Sequence, residues 1–523
     1  MSAAIDVPHR EQVSARRPGL VLSLVCIAVF MLMLDSTVVT AALADIRADF
    51  GSSLDGLQWA IDAYAIPLAG TLLTFATLGD RFGRKRVFVI GMAIFTTSSL
   101  ALSLSGSVLE LNLLRAVQGV GAAMLFATAL PLLAVAFPEA GPRAKAIGVY
   151  GAVMAAAGVA GPVLGGALVT EFGWRSIFTV NVPIGVAVAA IAVSRMPEAA
   201  RAAGRQIDWI GSMLLIGALT AGVFALTRGD ALGWSSVTVV ALAGISIAGL
   251  VMFAWWEIRA PHPLLNLSMV RMPGFAGTAI VSVAYMGTLM AASNYLAVFM
   301  IGVFGLSPLQ MGLRLLPISL AALVAAPTTA ALAKRVPIGV SLPVTMGVVT
   351  LGMWLLRGVE ITSSWTHFIP GMILGGLGLG AITAVAQAAS LTFAPAEEAG
   401  MTSATFATLR QVGMAMGVAG LGALFSSTAR DTAQAGLDTL PGSQSIGASQ
   451  GFLDAAAAGA GQQLSEAVPH EFAPLAPTLA DIASRSAVDG LDAALTLGTV
   501  IGGAATLLAA AAFVLDTRRV LRV

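Results

Sequence analysis

Apolar stretches of about 20 residues recur along this chain from one end to the other, and that repetition leaves few folds open. They run over 20–44, 57–78, 87–107, 109–134, 145–170, 177–195, 208–227, 236–256, 275–303, 311–333, 338–356, 366–391, 405–426 and 495–515. As a helix, each crosses the roughly 30 Å hydrocarbon core of a bilayer. Only 11% of the 523 residues are charged, against roughly 25% in a soluble domain, and the mean hydropathy is +0.88. The expectation is an all-α integral membrane protein with fourteen transmembrane helices, the division within 275–333 being the least defined. The first run is too long for a signal-peptide core and leads straight into further spans, so it reads as a retained first helix.

Basic residues set the expected orientation. Arg81, Arg84, Lys85 and Arg86 share one inner connection, and Arg518, Arg519 and Arg522 close the chain, whereas the outer connections hold scattered arginines. The positive-inside bias then puts both termini in the cytoplasm, in a multi-pass protein of the cytoplasmic membrane. A net charge of +1 gives no sign of nucleic-acid binding. Cys26 is the single cysteine, which rules out an intrachain disulfide framework. His9, His262, His367 and His470 lack metal-ligand spacing, so neither a metal site nor a cofactor is expected.

Charges inside such spans are functional candidates by default, because a charged side chain at the bilayer centre costs roughly 2.5–3.5 kcal/mol even on a lenient scale. Asp35 lies deepest, within "FMLMLDSTVVTAAL". Proton or substrate coupling is one reading of it; a structural pair with an arginine or a backbone group is the other. Asp62 is nearer the outer end of helix 2, where it need not be desolvated. Arg115 near the start of helix 4 could stabilise a carboxylate in one state and release it in another. Arg314 is a further cavity candidate, or else an interfacial arginine that snorkels. Residues 427–494 break the short-loop pattern with an Ala, Gly, Ser and Gln-rich outer segment. They read as a solvated loop, or a lid or partner-binding element, with short surface helices, the second lying along the interface before the last span.

Two motifs have physical content of their own. "LGDRFGRKR" (78–86) sets Asp80 among Arg81, Arg84, Lys85 and Arg86, with Gly79 and Gly83 allowing a tight turn. In helix 5, Gly158, Gly161 and Gly165 share one face, with Pro162 and Gly166 beside them, so a neighbouring helix can approach closely.

The first motif resembles the loop 2–3 signature of the major facilitator superfamily, with Ala76 where glycine is usual. "LDSTVVTAALADI" (34–46), "QWAIDAY" (58–64), "LLRAVQGVGAA" (113–123), "GVAGPVLGGAL" (158–168) and "GWRSIFTVNVPIG" (173–185) extend the likeness to its fourteen-helix drug:proton antiporters. Asp62 stands where an uncharged residue is commoner. "IDWIG" (207–211), "PLLNLSMVR" (263–271) and "YLAVFMIGVFGLSPLQMGLRLLP" (295–317) continue it.

The resemblance implies a major facilitator fold: two six-helix bundles, at 15–200 and 265–523, with two helices inserted at 201–264 and a cytoplasmic tail at 1–14. It implies alternating access, with the helix 5 glycines packing where the bundles meet and Asp80 with its basic neighbours acting as a conformational latch. Asp35, Asp62, Arg115 and Arg314 would serve proton coupling or line the substrate cavity. The expected function is proton-coupled efflux of small amphipathic organic compounds or drugs by a monomer embedded in membrane lipid. A dedicated exporter of one antibiotic or metabolite is the alternative, and a ligand-binding sensor without transport is another. No nucleophile, base or metal set converges in the loops, so an enzyme is not expected.

Overall fold

A computed structural model describes residues 17–51, 54–198, 208–261, 263, 272–332, 335–392, 399–440, 449–457, 459 and 475–520. The tail at 1–14 lies outside them, as do parts of the connections at 201–264 and 427–494. All regular structure among the described residues is helical. In order it comprises α1 (Pro18–Phe50), α2 (Leu54–Phe82), α3 (Arg84–Ser103), α4 (Val108–Ala136), α5 (Ala140–Phe172), the short α6 (Ser176–Thr179) and α7 (Asn181–Arg195). Then come α8 (Trp209–Leu232), α9 (Val237–Arg259), α10 (Pro273–Tyr285), α11 (Ala291–Gly302) and α12 (Pro308–Leu332). The chain ends with α13 (Ile338–Leu355), α14 (Ile369–Thr392), α15 (Ala399–Asp438), α16 (Ser449–Ala457) and α17 (Ala476–Val520).

Thirteen helical stretches among the described residues are long and apolar enough to cross a membrane, with α6 and α7 forming one of them. α5, a helix of 33 residues, adds a shorter apolar stretch, Val163–Phe172. Large apolar side chains such as Leu109, Val237, Ile247 and Leu507 stand on the outside of the molecule. Such a surface suits lipid, and the chain is a multi-pass membrane protein.

The helices pack as two groups. α1 runs along α5, α2 along α4, and α3 along α4 and α7, around a core that includes Val25, Leu68, Phe88 and Leu125. In the second group α12 lies on α14, α13 on α14 and α17, and α15 on α17, around Phe299, Met346, Phe368 and Leu491. The groups meet where α5 follows α12 and where α2 follows α15; α8 pairs with α9 and touches both α2 and α15. A π turn, Met286–Met290, joins α10 to α11. There Gly287, Gly413 and Gly417 bring α15 against the turn, backbone to backbone, so that a Cβ on Gly417 would strike Gly287. The division within 275–333 falls at Gly305, whose φ of 60° suits the bend before α12.

In the 427–494 segment the first expected short helix is present as α16, Ser449–Ala457, whereas the second is not a separate element. α15 has 40 residues and α17 has 45, so the two continue past the apolar stretches anticipated for them as one packed pair. The piece over 479–495 therefore does not form a separate interfacial helix; it is the first part of α17. Its apolar periodicity serves a small core instead, in which Leu479, Ile482 and Ala483 meet Ala433, Leu437, Phe452 and Leu453.

Candidate functional site

Asp35 is 3% exposed and Arg115 is 1% exposed, and Arg115 Nη1 donates to Asp35 Oδ2 at 2.6 Å. The other carboxylate oxygen, Oδ1, accepts from Gln118 Nε2 at 2.9 Å and from Asn181 Nδ2 at 3.0 Å. Gln118 is one turn from Arg115 on the same face of α4, which lets its Oε1 accept from Arg115 Nη1 at 2.6 Å. Its amide also donates to Ser99 Oγ of α3 at 2.8 Å, while Arg115 Nε donates to the Ala60 carbonyl of α2 at 2.9 Å. The guanidinium carbon lies 4.3 Å from the centroid of the Tyr64 ring, a cation–π contact. Gly119 permits this closeness, since a Cβ there would collide with the Tyr64 carbonyl. One buried ion pair thus draws together α1, α2, α3, α4 and α7. In a low-dielectric interior such a pair is tolerable only because nearly every donor and acceptor is matched.

Asp62, two residues after Ala60, has a different environment. It is 0% exposed, and neither carboxylate oxygen has a hydrogen-bond partner among the described residues. Tyr295 of α11, in the other group of helices, is bonded to α15, the helix that packs along α2 across the seam. The Tyr295 hydroxyl donates to the Val418 carbonyl at 2.5 Å, and its ring stacks on Phe425 with centroids 5.5 Å apart. One turn on from Asp62, Ile66 packs with Ala415 and Ala419 of α15 and Val223 of α8. Asp62 therefore sits on the seam between the groups, whereas Asp35 is enclosed by the first.

Arg314 joins neither acid. It lies near the start of α12, its guanidinium carbon 5.7 Å from the centroid of Trp365, and its Nη1 is buried without a partner among the described residues.

At the turn between α2 and α3, Asp80 Oδ1 accepts from Arg84 Nη2 at 2.9 Å, and Arg84 Nη1 donates to the Pro131 carbonyl at 3.3 Å. Gly83 has φ of 108°, a conformation that suits glycine, and a Cβ on it would come within 2.5 Å of Glu198 Oε1. Glu198 caps the start of α3, accepting from the Lys85 backbone N–H at 3.2 Å, with Arg86 Nε 3.8 Å from its other oxygen. Lys85 Nζ donates to the Val193 carbonyl at 2.9 Å, and Arg81 stacks over Phe82.

In α5, Gly161 and Gly165 face Thr37 and Val38 of α1, so this part of the glycine face closes the first group internally, not the seam. α5 meets α12 as well, which is how one helix serves both contacts. Gly158, Pro162 and Gly166 belong to the same helix, and Gly166 is buried; the surroundings of Gly158 and Pro162 fall outside the described side chains.

Gln118 and Asn181 have no assigned role in the sequence reading, although both are polar residues in apolar spans, the signal that singled out Asp35. Glu198 carries no such signal, being one acid in an ordinary connection. No group of three or more potential metal ligands occurs among the described residues.

Comparison with known proteins agrees with this architecture. The Major Facilitator Superfamily profile matches residues 25–418. "Multidrug resistance protein Stp" of Mycobacterium tuberculosis is 34% identical over 77% of this chain and 74% of its own length. The "Tetracenomycin C resistance and export protein" of Streptomyces glaucescens is 34% identical over 79% of this chain and 77% of its own. In fold, the chain is similar to a crystal structure of a bacterial homolog to the human lysosomal transporter Spinster. The TM-score is 0.62 at 17% identity, covering 96% of this chain and 99% of that one. With most of its length matched by the profile and by relatives above 30% identity, the chain belongs to the Major Facilitator Superfamily of membrane transporters.

Proposed function

We propose that this transporter is a proton-coupled exporter of small amphipathic organic compounds or drugs, working by alternating access between the two helix groups, with both termini in the cytoplasm. The observation that carries the reading is Asp35: a carboxylate in the apolar interior whose three donors, on Arg115, Gln118 and Asn181, come from two other helices. A rearrangement that withdraws Arg115 leaves that charge without its counter-ion and with fewer donors, so a change of shape and the uptake of a proton are linked at one place. Asp62 is the second coupling candidate, because a charge there has no partner in this conformation and burial makes it costly.

A proton entering down the membrane potential releases about 2.3 kcal/mol per 100 mV, enough to support uphill movement of a solute. No phosphate-binding loop of the G-x-x-x-x-G-K-[ST] kind occurs in the sequence to supply ATP-driven transport. The basic turn at 78–86 would lie on the cytoplasmic side and act as a latch whose closed form includes the Asp80–Arg84 pair. A single pair of this exposure is worth about 0–1 kcal/mol, which still biases two states a few kcal/mol apart.

A dedicated exporter of one compound is the second reading. It is favoured by the relative named for tetracenomycin C, as the multidrug reading is by the relative named for multidrug resistance. A substrate screen with purified protein in vesicles under an imposed pH gradient tests both, with Asp35→Asn as control. Substrate-driven proton movement opposite to the substrate supports the exporter. Movement in the same direction replaces it with a symporter, and a response confined to one group of related compounds selects the dedicated form.

A further inference from the structure

Trp59, Asp62, Ile66, Gly70 and Thr74 form one stripe along α2, at the spacing that puts side chains on a single helix face. All but Asp62 have a counterpart on α8. The Trp59 ring packs on Phe224 with centroids 4.1 Å apart, and Ile66 lies against Val223. A Cβ on Gly70 would strike Ile216, and the Thr74 and Ser212 hydroxyls share a hydrogen bond. α8 is therefore fixed along α2 by a ring pair, a close backbone approach and a hydrogen bond, and it belongs mechanically to the first group of helices.

α15 meets the same stripe from the other group by different means. Ala415 and Ala419, one turn apart, join Ile66 and Val223 in one buried apolar cluster, with Trp59 and Ala65 at its edge. Small apolar side chains part without breaking a hydrogen bond. The junction of the three helices is thus firm on the side of α8 and separable on the side of α15.

Asp62 is set inside this junction, three residues after Trp59 and four before Ile66. It is 0% exposed, and neither oxygen is hydrogen-bonded among the described residues. The charged and titratable groups on the neighbouring helices are otherwise placed. Asp35 of α1 and Arg115 of α4 engage each other beside the Tyr64 ring, and Asp45 of α1 and Glu110 of α4 are exposed. α3 carries its charges in its first three residues. Arg228 lies one turn past Phe224 on α8, Arg410 and Arg430 lie to either side of the alanine pair on α15, and the Tyr295 hydroxyl of α11 donates to the Val418 carbonyl. A carboxylate enclosed in this way has lost water and gained no donor, whereas a neutral carboxyl is far easier to bury. Closure of α15 over the stripe and ionisation of Asp62 therefore oppose each other.

We infer that α2, α8 and α15 form a proton-operated gate: the inserted helix α8 travels with α2, and α15 closes on the pair only while Asp62 is neutral. The inference deepens the reading of Asp62 as a coupling candidate and rests on it for the use of the gate in transport. The opening itself requires neither substrate nor gradient, and this separates the two in experiment.

The test is the distance distribution between spin labels on Ser235→Cys, in the α8–α9 turn, and Ala435→Cys of α15, in the full-length protein in lipid vesicles with equal pH on both sides. Both positions are exposed, and Cys26→Ser removes the native thiol. The ratio of short to long distances in wild type should fall as pH is raised from about 5 to about 9, by up to about tenfold per pH unit where one proton is linked to closure. Asp62→Asn should hold the short distance throughout, and Asp62→Glu should retain the response. Phe224→Ala, which thins the α8 wall and keeps the acid, should favour the long distance at every pH with the slope preserved, and stands as a second variant if Asp62→Asn does not fold. Three outcomes overturn the inference: a wild-type ratio that does not change with pH, a slope that survives in Asp62→Asn, or a slope lost in Phe224→Ala. Failure of proton-coupled flux with the pH response intact would instead remove the exporter reading alone.

Discussion

Asn181 Nδ2 lies 3.0 Å from Asp35 Oδ1, a contact across 146 positions of sequence that closes the donor cage around the most deeply buried ion pair among the described residues. We expect Asp35→Asn to abolish proton-driven efflux while the protein still inserts. Removing one member leaves Arg115 buried without its counter-charge, a loss of about 3–5 kcal/mol of stability. The double variant Asp35→Asn, Arg115→Gln should be less destabilised than the two single losses added together. Thermal unfolding in detergent, run beside vesicle flux, checks both parts; wild-type transport by Asp35→Asn at full membrane abundance would sink the coupling role.

Asp62→Asn should behave differently because neither of its carboxylate oxygens has a hydrogen bond to lose. Its thermal stability is expected to match or exceed that of wild type, since a neutral amide is easier to bury than a charge. The effect on flux should be smaller than that of Asp35→Asn, or confined to some substrates. Total loss of flux with every substrate would reverse the ranking of the two acids.

The turn after α2 offers a test of state populations. Asp80→Asn should shift the balance of inward and outward states, and turnover, more than ligand affinity, while Lys85→Arg should be nearly silent. Glu198→Gln, which weakens the cap on α3, is expected to act in the same way as Asp80→Asn but less strongly. Distance distributions between spin labels in lipid vesicles give the readout. An unchanged distribution together with a large loss of affinity would remove the latch role.

A pH dependence follows from the C-terminal end of α1, beyond the apolar stretch. Arg175 Nη1 donates to Asp49 Oδ2 at 2.6 Å and Trp174 Nε1 does so at 3.1 Å. These bonds, Arg175 first and Trp174 second, hold the Asp49 carboxyl below its ordinary range. With the folded value depressed, the bonds contribute fully above the unfolded value and are lost as pH falls through the folded one. The melting temperature of wild type should therefore exceed that of Asp49→Asn by a small constant margin at neutral pH, and the margin should begin to close below about pH 4. A margin that grows on acidification would contradict the assignment.

Much of this architecture is legible without a structure. Long apolar runs become helices because hydrocarbon offers no partner for backbone N–H and C=O groups, so each span must satisfy its own. The isolation of Asp35 and Arg115 in such runs marked both as residues needing partners, and their association follows from the cost of leaving either alone. The basic cluster at 81–86 was equally plain, since Gly83 and the charges around it are contiguous.

The assignment of partners was decided only by tertiary structure. Asp35 and Asp62 are both single acids in apolar surroundings, yet one receives three hydrogen bonds and the other none. That difference depends on which way each helix is rotated and on what Gly119 allows α2 and α4 to do, information spread over residues far apart in the chain. The same holds for Leu479 and Ile482, whose spacing fits a lipid-facing stripe as well as the small core they join. Apolar periodicity determines that a helix has a buried face. What that face is buried against is a property of the packed whole.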